Sequence, residues 1–421
     1  MLQVLKSSWA LLLGMLLLMI GNGIQGTLLG VRGGLEGFSP FYMSIVMSAY
    51  FAGFLGGSRL APELIRRVGH VRVFAALASF ISAVLILYPA ITHPVAWALG
   101  RIVIGFCFSG VYVTAESWLN NSASNENRGQ ALSLYMVVQM TGVVTAQGLV
   151  ALGDPSGYIL FIVSSVLVSI SFAPILLSIS PTPAFETTKS MSLRQLFQIS
   201  PLGCVGMFLL GGVFSAQFGM SAVYGSEAGM SVGEISIFVS SIFAGAVVMQ
   251  FPIGWISDRM DRRRLIMVIA LIGTMAGGLG FASSGNFDML LVAAFFIGGM
   301  ANPLYALLIA YTNDFLEHED MAAASGGLMF ISGLGAISGP LILGWVMGQI
   351  GAGGFFLFLA ALMFSIMAYS AYRMTRRAAI PVEETGTYAP ITPTASPVAM
   401  ELAQEVFIEA AHEDESSTLD K

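Results

Sequence analysis

Twelve apolar stretches run through this chain, each near the ~20 residues that a helix needs to cross a hydrocarbon layer. They fall at about residues 9–31, 41–60, 73–92, 95–118, 129–152 and 157–179, then 202–224, 234–257, 264–283, 287–312, 321–348 and 353–373. A bilayer offers backbone groups no water to bond with, so lipid-crossing segments of this length fold as helices. At 56% hydrophobic and 10% charged, the chain lies far below the ~25% charged residues of a soluble domain. The expected class is an all-α membrane protein with twelve transmembrane helices. The first stretch is too long for a signal-peptide core and ends without a cleavage pattern, so it is read as a retained helix.

The basic residues give the orientation. Lys6 precedes the first span, and Arg59, Arg66, Arg67 and Arg72 follow the second. Arg128 follows the fourth, Lys189 and Arg194 the sixth, and Arg259, Arg262, Arg263 and Arg264 the eighth. Arg373, Arg376, Arg377 and Lys421 follow the twelfth, which leaves only Arg32 and Arg101 elsewhere. Such an excess marks cytoplasmic loops. The expectation is a multi-pass protein of the inner (cytoplasmic) membrane with both termini in the cytoplasm. The net charge of −6 is set by the end of the chain, where nine acidic residues and one lysine follow Ala378. It implies no charged partner, and no nucleic acid.

The spans form two groups of six, and short stretches repeat between them. Gly57–Arg72 after the second span and Gly254–Arg264 after the eighth occupy similar positions about 197 residues apart. Two pseudo-symmetric six-helix bundles with a substrate site between them are a carrier architecture. The expected units are an N-terminal bundle (1–180), a cytoplasmic connector (181–200) with a short helix near Leu193–Ile199, a C-terminal bundle (201–377) and an acidic tail (378–421). Four prolines with interspersed Thr and Ser mark 380–397 as disordered by composition.

The string Gly254-Trp255-Ile256-Ser257-Asp258-Arg259-Met260-Asp261-Arg262-Arg263 resembles the Gly-x-x-x-Asp-Arg-x-Gly-Arg-Arg signature of the major facilitator superfamily. Its first-half counterpart keeps Gly57 and the pair Arg66-Arg67, with Pro62-Glu63 where the Asp is expected. Arg101-Ile102-Val103-Ile104-Gly105 resembles a second motif of that family. With Ala115–Asn120 and Asn127-Arg128-Gly129 the chain looks like the YcaD-type subgroup. The resemblance covers residues 1 to about 377. It implies a secondary carrier working by alternating access as a monomer. The loop cluster of Gly254, Asp258, Arg259 and Arg262 would be a conformational latch, with Gly254 letting helix backbones approach.

Arg101 is the sharpest single residue, because a charge inside a span is costly and marks function by default. It is expected to touch substrate or to tune coupling, against the alternative of a guanidinium that snorkels outward or bonds backbone carbonyls. Glu116, fifteen residues later, lies ~22 Å away along the helix axis and cannot pair with Arg101. Its expected partners are Arg66, Arg67 and Arg128, as a gate; a proton site is the alternative. By the resemblance, helices one, four, seven and ten line the cavity. That singles out Asn22 and Gln25, Tyr112, Gln217 and Tyr224 (seven apart, hence one face), and Asn302 and Tyr305 beside Pro303. Together they predict a mildly polar, uncharged cavity. Asp314, Glu317, Glu319 and Asp320 form a matching acidic loop after the tenth span, most of it expected to be solvated, and His70 is expected to lie in a loop.

No His, Cys or carboxylate cluster suggests a metal, and no phosphate loop or nucleophile motif suggests an enzyme or a bound cofactor. The expected substrate is a small neutral or anionic organic solute, with protons as the candidate coupling ion. The alternatives are a proton-linked exporter of apolar compounds and a non-transporting sensor or scaffold.

Overall fold

The polar breaks between spans carry residues that start helices, and the chain uses them as such. The computed structural model describes residues 2–122, 128–177, 191–283, 285–376, 381, 385, 388, 391–396 and 398–399. The first half comprises α1 (Leu2–Leu35), α2 (Pro40–Val68), α3 (His70–Ala90), α4 (Pro94–Ser122), α5 (Arg128–Leu152), α6 (Ile159–Ser171) and α7 (Ala173–Leu177). The connector helix α8 (Leu193–Ile199) follows. The second half comprises α9 (Pro201–Ser215), a π turn (Ala216–Met220), α10 (Ser221–Glu227), α11 (Val232–Ser257), α12 (Arg262–Ala282), α13 (Phe287–Asn313), α14 (His318–Ile350) and α15 (Gly354–Met374). Among the described residues these make twelve segments long and apolar enough to cross a membrane. The sixth combines α6 with α7, and the seventh runs from α9 through the π turn to α10.

Helix starts follow the local chemistry. Ser39 accepts from the Tyr42 N–H at 3.4 Å ahead of Pro40. Ser231 and Glu234 form a reciprocal capping box at the start of α11. Both devices satisfy N–H groups that a helix leaves unpaired in its first turn. α8 forms where expected, capped by Ser192.

Each half is a bundle of six spans. In the first, α2 packs on α4, α1 on α5 and α6, and α3 on α4 and α6. In the second, α11 packs on α13, α9 on α14, and α12 on α13 and α15. Close backbone approach through glycine sets this register. Gly105 of α4 meets the Tyr50 carbonyl of α2, and Gly298 of α13 meets the Ile242 carbonyl of α11. Gly142 of α5 meets the Leu16 carbonyl of α1, and Gly335 of α14 the Phe208 carbonyl of α9. In both comparisons the paired glycines are 193 residues apart. Between α2 and α11 the equivalent glycines, Gly53 and Gly245, are 192 residues apart, so the true repeat is four to five residues shorter than the loop motifs suggest, and Gly254 corresponds to Pro62 rather than to Gly57.

The halves meet mainly at the end remote from the termini. There Gly30 of α1 packs on Ala222 and Val223 of α10, and Gly344 of α14 on Ser44 of α2. Ser48 donates to the Ile337 carbonyl at 2.5 Å. Toward the termini the halves diverge around a cavity. The expectation of a disordered tail fails for its described part: Tyr388, Ile391, Thr392, Ala395, Ser396 and Ala399 are buried against the bundles. The tail beyond Ala399 lies outside the described residues.

The glycine register is testable. A Cβ at Gly298 collides with the α11 backbone, whereas one at Gly278 meets nothing within 4 Å. Overpacking of this kind typically costs ~1–3 kcal/mol. Gly298→Val is expected to lower the unfolding temperature of the detergent-purified protein by several degrees, while Gly278→Ala leaves it unchanged or raises it.

Candidate functional site

A cavity of about 450 Å³ lies between the halves. Tyr50, Phe51 and Phe54 wall it from α2, Phe214 and Phe218 from the seventh span, Tyr305 from α13, and Met329 and Phe330 from α14. These side chains follow from the helical repeat: positions 50, 51 and 54 share one face of α2, and 214 and 218 one face of the seventh span. The rings contact each other across the halves. Tyr50 and Phe218 centroids are 5.8 Å apart, and Phe214 stacks on Phe218 at 5.8 Å. Ser58, Arg59 and Ser332 supply its polar edge. Arg59, exposed at the rim, lies over the Phe330 ring at 4.2 Å. The cavity is therefore aromatic with one cationic edge, not the mildly polar, uncharged space that the sequence suggests.

Arg101 is fully buried but does not line this space. It donates to Gln25 Oε1 at 2.9 Å and to Met47 Sδ at 3.1 Å, and its guanidinium lies 4.8 Å from the Tyr50 ring centre. Gln25 in turn donates to Asn22 Oδ1 at 3.1 Å. The structure thus brings Arg101, Gln25 and Asn22 into one buried chain, with Tyr50 standing between that chain and the cavity. Tyr112 is buried nearby, its hydroxyl on Met19 Sδ at 3.3 Å, and its ring is 6.0 Å from Phe54.

In the second half the expected set disperses. The π turn at Gln217 breaks the seven-residue register, so Gln217 and Tyr224 do not act as a pair. Gln217 is buried with no partner for its Nε2 among the described residues, and Tyr224 stacks on Phe355 at 4.8 Å in the bundle core. Asn302 bonds within its own helix to the Gly298 carbonyl at 3.2 Å. Only Tyr305, of the eight proposed cavity residues, lines the cavity.

The charged corner at the termini end is built around Arg262. Its side chain pairs with Asp314, donates to the Ala310 carbonyl at 3.2 Å and reaches Ser257 Oγ at 3.4 Å. Asp314 is therefore a buried partner and not a solvated loop residue. Asp258 lies 4.0 Å from Arg262 and accepts the N–H of a tail residue, Tyr388, at 2.7 Å. Gly254 admits the Tyr388 ring, which a Cβ there would meet at 2.8 Å, and not a helix backbone. Arg259 folds back over Trp255 at 4.2 Å. Asp261 caps α12 through the Arg263 N–H at 2.9 Å. Burial works to raise its pKa, but the Arg263 bonds and charge outweigh it and hold the carboxyl below its ordinary value. Burial, reinforced by the Asp258 charge, pushes the Tyr388 hydroxyl upward.

Glu116 is buried in α4, and its partners differ from those expected. Arg66 and Arg67 pair instead with Glu63 at 2.6 and 2.7 Å on the exposed face of α2; the Arg128 side chain lies outside the described residues. Glu116 accepts from Tyr135 Oη at 3.2 Å and from the Ser396 N–H at 2.8 Å. His70 is no loop residue: it is buried and bonds Ser117 Oγ of α4 at 2.9 Å. The sequence reading missed the Phe and Tyr walls, whose signal was the ring-rich face of α2. It also missed Tyr388 and Ser396, for which composition gave no signal.

Comparison with known proteins agrees with this architecture. The family model described as Major Facilitator Superfamily matches residues 11–228 and 202–407. A protein of Escherichia coli O45:K1 (strain S88 / ExPEC), described as an uncharacterized MFS-type transporter YcaD, is 26% identical over 362 residues, covering 84% of this chain and 92% of its own length. The crystal structure of the nucleoside transporter NupG superposes with a TM-score of 0.75 at 14% identity, covering 88% of this chain and 100% of that one. A bacterial homologue of the human lysosomal transporter Spinster, in an inward-facing and unoccupied conformation, superposes with a TM-score of 0.68 at 15% identity over 96% of this chain and 98% of that one. At these identities the solved structures share the fold.

The Arg262–Asp314 pair carries the corner's prediction. Removing one partner of a buried ion pair typically costs ~3–5 kcal/mol, because the other charge stays buried. Arg262→Ala and Asp314→Ala are each expected to be strongly destabilising, and the double variant much less so than their sum. Thermal unfolding of the four proteins reads the coupling.

Proposed function

The chain belongs to the major facilitator superfamily and is a multi-pass membrane transporter; from that premise we propose that it carries a small neutral or singly anionic organic solute by alternating access. The aromatic cavity between the bundles carries this reading. Stacked rings favour a solute with substantial apolar or aromatic surface, and the single charged wall residue, Arg59, disfavours cations. The contacts between halves at one end, with the cavity at the other, support a state closed on the far side. Sixteen of the eighteen basic residues assigned to loops and ends on the termini side support a cytoplasmic placing of that side in the inner membrane. A monomeric carrier is the expectation that family membership brings.

Arg101 acts in this reading as a positioning residue: it holds Tyr50 against the cavity through stacking and is itself held by Gln25. The Asp258, Arg259 and Arg262 loop, with Gly254, serves as the latch of the second half. Glu116 is the candidate for proton coupling, since it is buried and held by Tyr135 and Ser396 rather than by Arg66 or Arg67. A second reading, a proton-linked exporter of apolar compounds, draws on the same Phe and Met wall.

The test is thermal unfolding of the purified protein against neutral, anionic and cationic organic compounds with and without aromatic rings. A ligand bound only to the folded state stabilises it by about 2.7 kcal/mol at a hundred times its dissociation constant. Saturable stabilisation by an aromatic neutral or anionic class is expected, weakened about tenfold in affinity by Phe54→Ala, as loss of a ring contact of ~1.4 kcal/mol implies. Stabilisation by cations alone would overturn the reading. Once a solute is known, Arg101→Ala should slow its uptake into proteoliposomes, and Arg101→Lys should fail to restore it because an ammonium lacks the planar fork. Uptake equal to the parent would remove Arg101 from the mechanism.

A further inference from the structure

The tail residues that reach back into the bundle touch both halves at the cavity's mouth. On the second half, the Tyr388 N–H bonds Asp258 at 2.7 Å, and Gln250 Nε2 donates to the Tyr388 hydroxyl at 2.8 Å. That hydroxyl lies 3.4 Å from the Pro303 carbonyl in α13. On the first half, the Ser396 N–H bonds Glu116 at 2.8 Å, and Ile391, Thr392, Ala395 and Ala399 sit against Leu132, Tyr135 and Met136 of α5. Between these anchors Pro393 and Thr394 form part of the cavity wall.

We propose that the described tail residues 388, 391–396 and 398–399 form an intramolecular plug that closes the termini-side mouth of the cavity and wedges the two halves apart there. The segment's chemistry suits the place. Proline lacks an N–H, so Pro393 brings one donor fewer into a largely apolar groove. Two of the remaining N–H groups meet buried or half-buried carboxylates, one on each half. While the segment is seated, solute cannot pass between cavity and mouth. The halves also cannot close at this end, a closure that alternating access requires. The tail is thus an autoinhibitory element, and its release is the step that frees the carrier to cycle. That consequence rests on the transporter reading; the plug itself does not.

The plug can be tested without any solute. In a Cys107→Ala, Cys204→Ala background, the cavity-wall variant Ser332→Cys is purified in detergent and labelled with a small charged maleimide. Tyr42→Cys, exposed at the far end, serves as the reference thiol. Removing residues 378–421 is expected to speed Ser332→Cys labelling at least ~tenfold, as an occluding state converts to an open one, with Tyr42→Cys unchanged. A Ser332→Cys rate within about twofold of the full chain would overturn the plug, as would equal acceleration of both thiols, since that reports general loosening. Should the truncated chain lose its thermal transition, Tyr388→Ala combined with Ser396→Pro in the full chain carries the same comparison and the same criteria.

Discussion

A bilayer provides no hydrogen-bond partner, so a polar group that this bundle encloses is either satisfied from within or costs free energy. That constraint organises the molecule at each level. It makes the spans helical, and it favours glycine where the helices meet backbone to backbone. It also governs the few charges inside. Arg101 pairs with no carboxylate among the described residues and is held by an amide, a thioether and a ring face. Arg262 is buried because Asp314 and the Ala310 carbonyl go with it. Glu116 and Asp258 meet backbone N–H groups of the tail.

The parts of the fold legible in the sequence are those fixed by local chemistry. Span number, helix starts and α8 follow from apolar length and capping residues. Arg101 was legible as a costly buried charge. Its partners were not, because they depend on which face of α4 meets α1 and α2. The same limit hid the cavity. Most spans are apolar nearly all round, so a single helix does not reveal which phenylalanines turn inward; the glycine contacts between helices decide it. Gln217 and Tyr224 show a second limit. Seven residues share a face only in an unbroken α-helix, and the π turn at Ala216–Met220 inserts an extra residue into that count.

The tail failed for a different reason. Composition asks whether a segment can bury enough apolar surface by itself, and 380–397 cannot. It does not ask whether a larger body holds a groove into which that segment fits. Residues poor at forming helix or sheet are the ones that thread such a groove with few unsatisfied donors. Tyr388 shows the match most directly: Gly254, the opening residue of the loop motif in this chain's second half, leaves room for its ring.

The two halves are not equivalent at this end, and the difference explains why the tail binds where it does. The second half closes its corner with its own ion pair, Arg262 to Asp314. The corresponding corner of the first half has a hydrogen bond between His70 and Ser117, and its basic residues Arg66 and Arg67 turn outward to Glu63. Glu116, deeper in α4, therefore keeps an acceptor oxygen for another donor, and the Ser396 N–H supplies it. An element bonded to both halves opposes their relative rotation in a way that a latch within one half cannot. The duplicated architecture gives the bundles their common packing, and the departure from duplication at this corner gives the tail its seat.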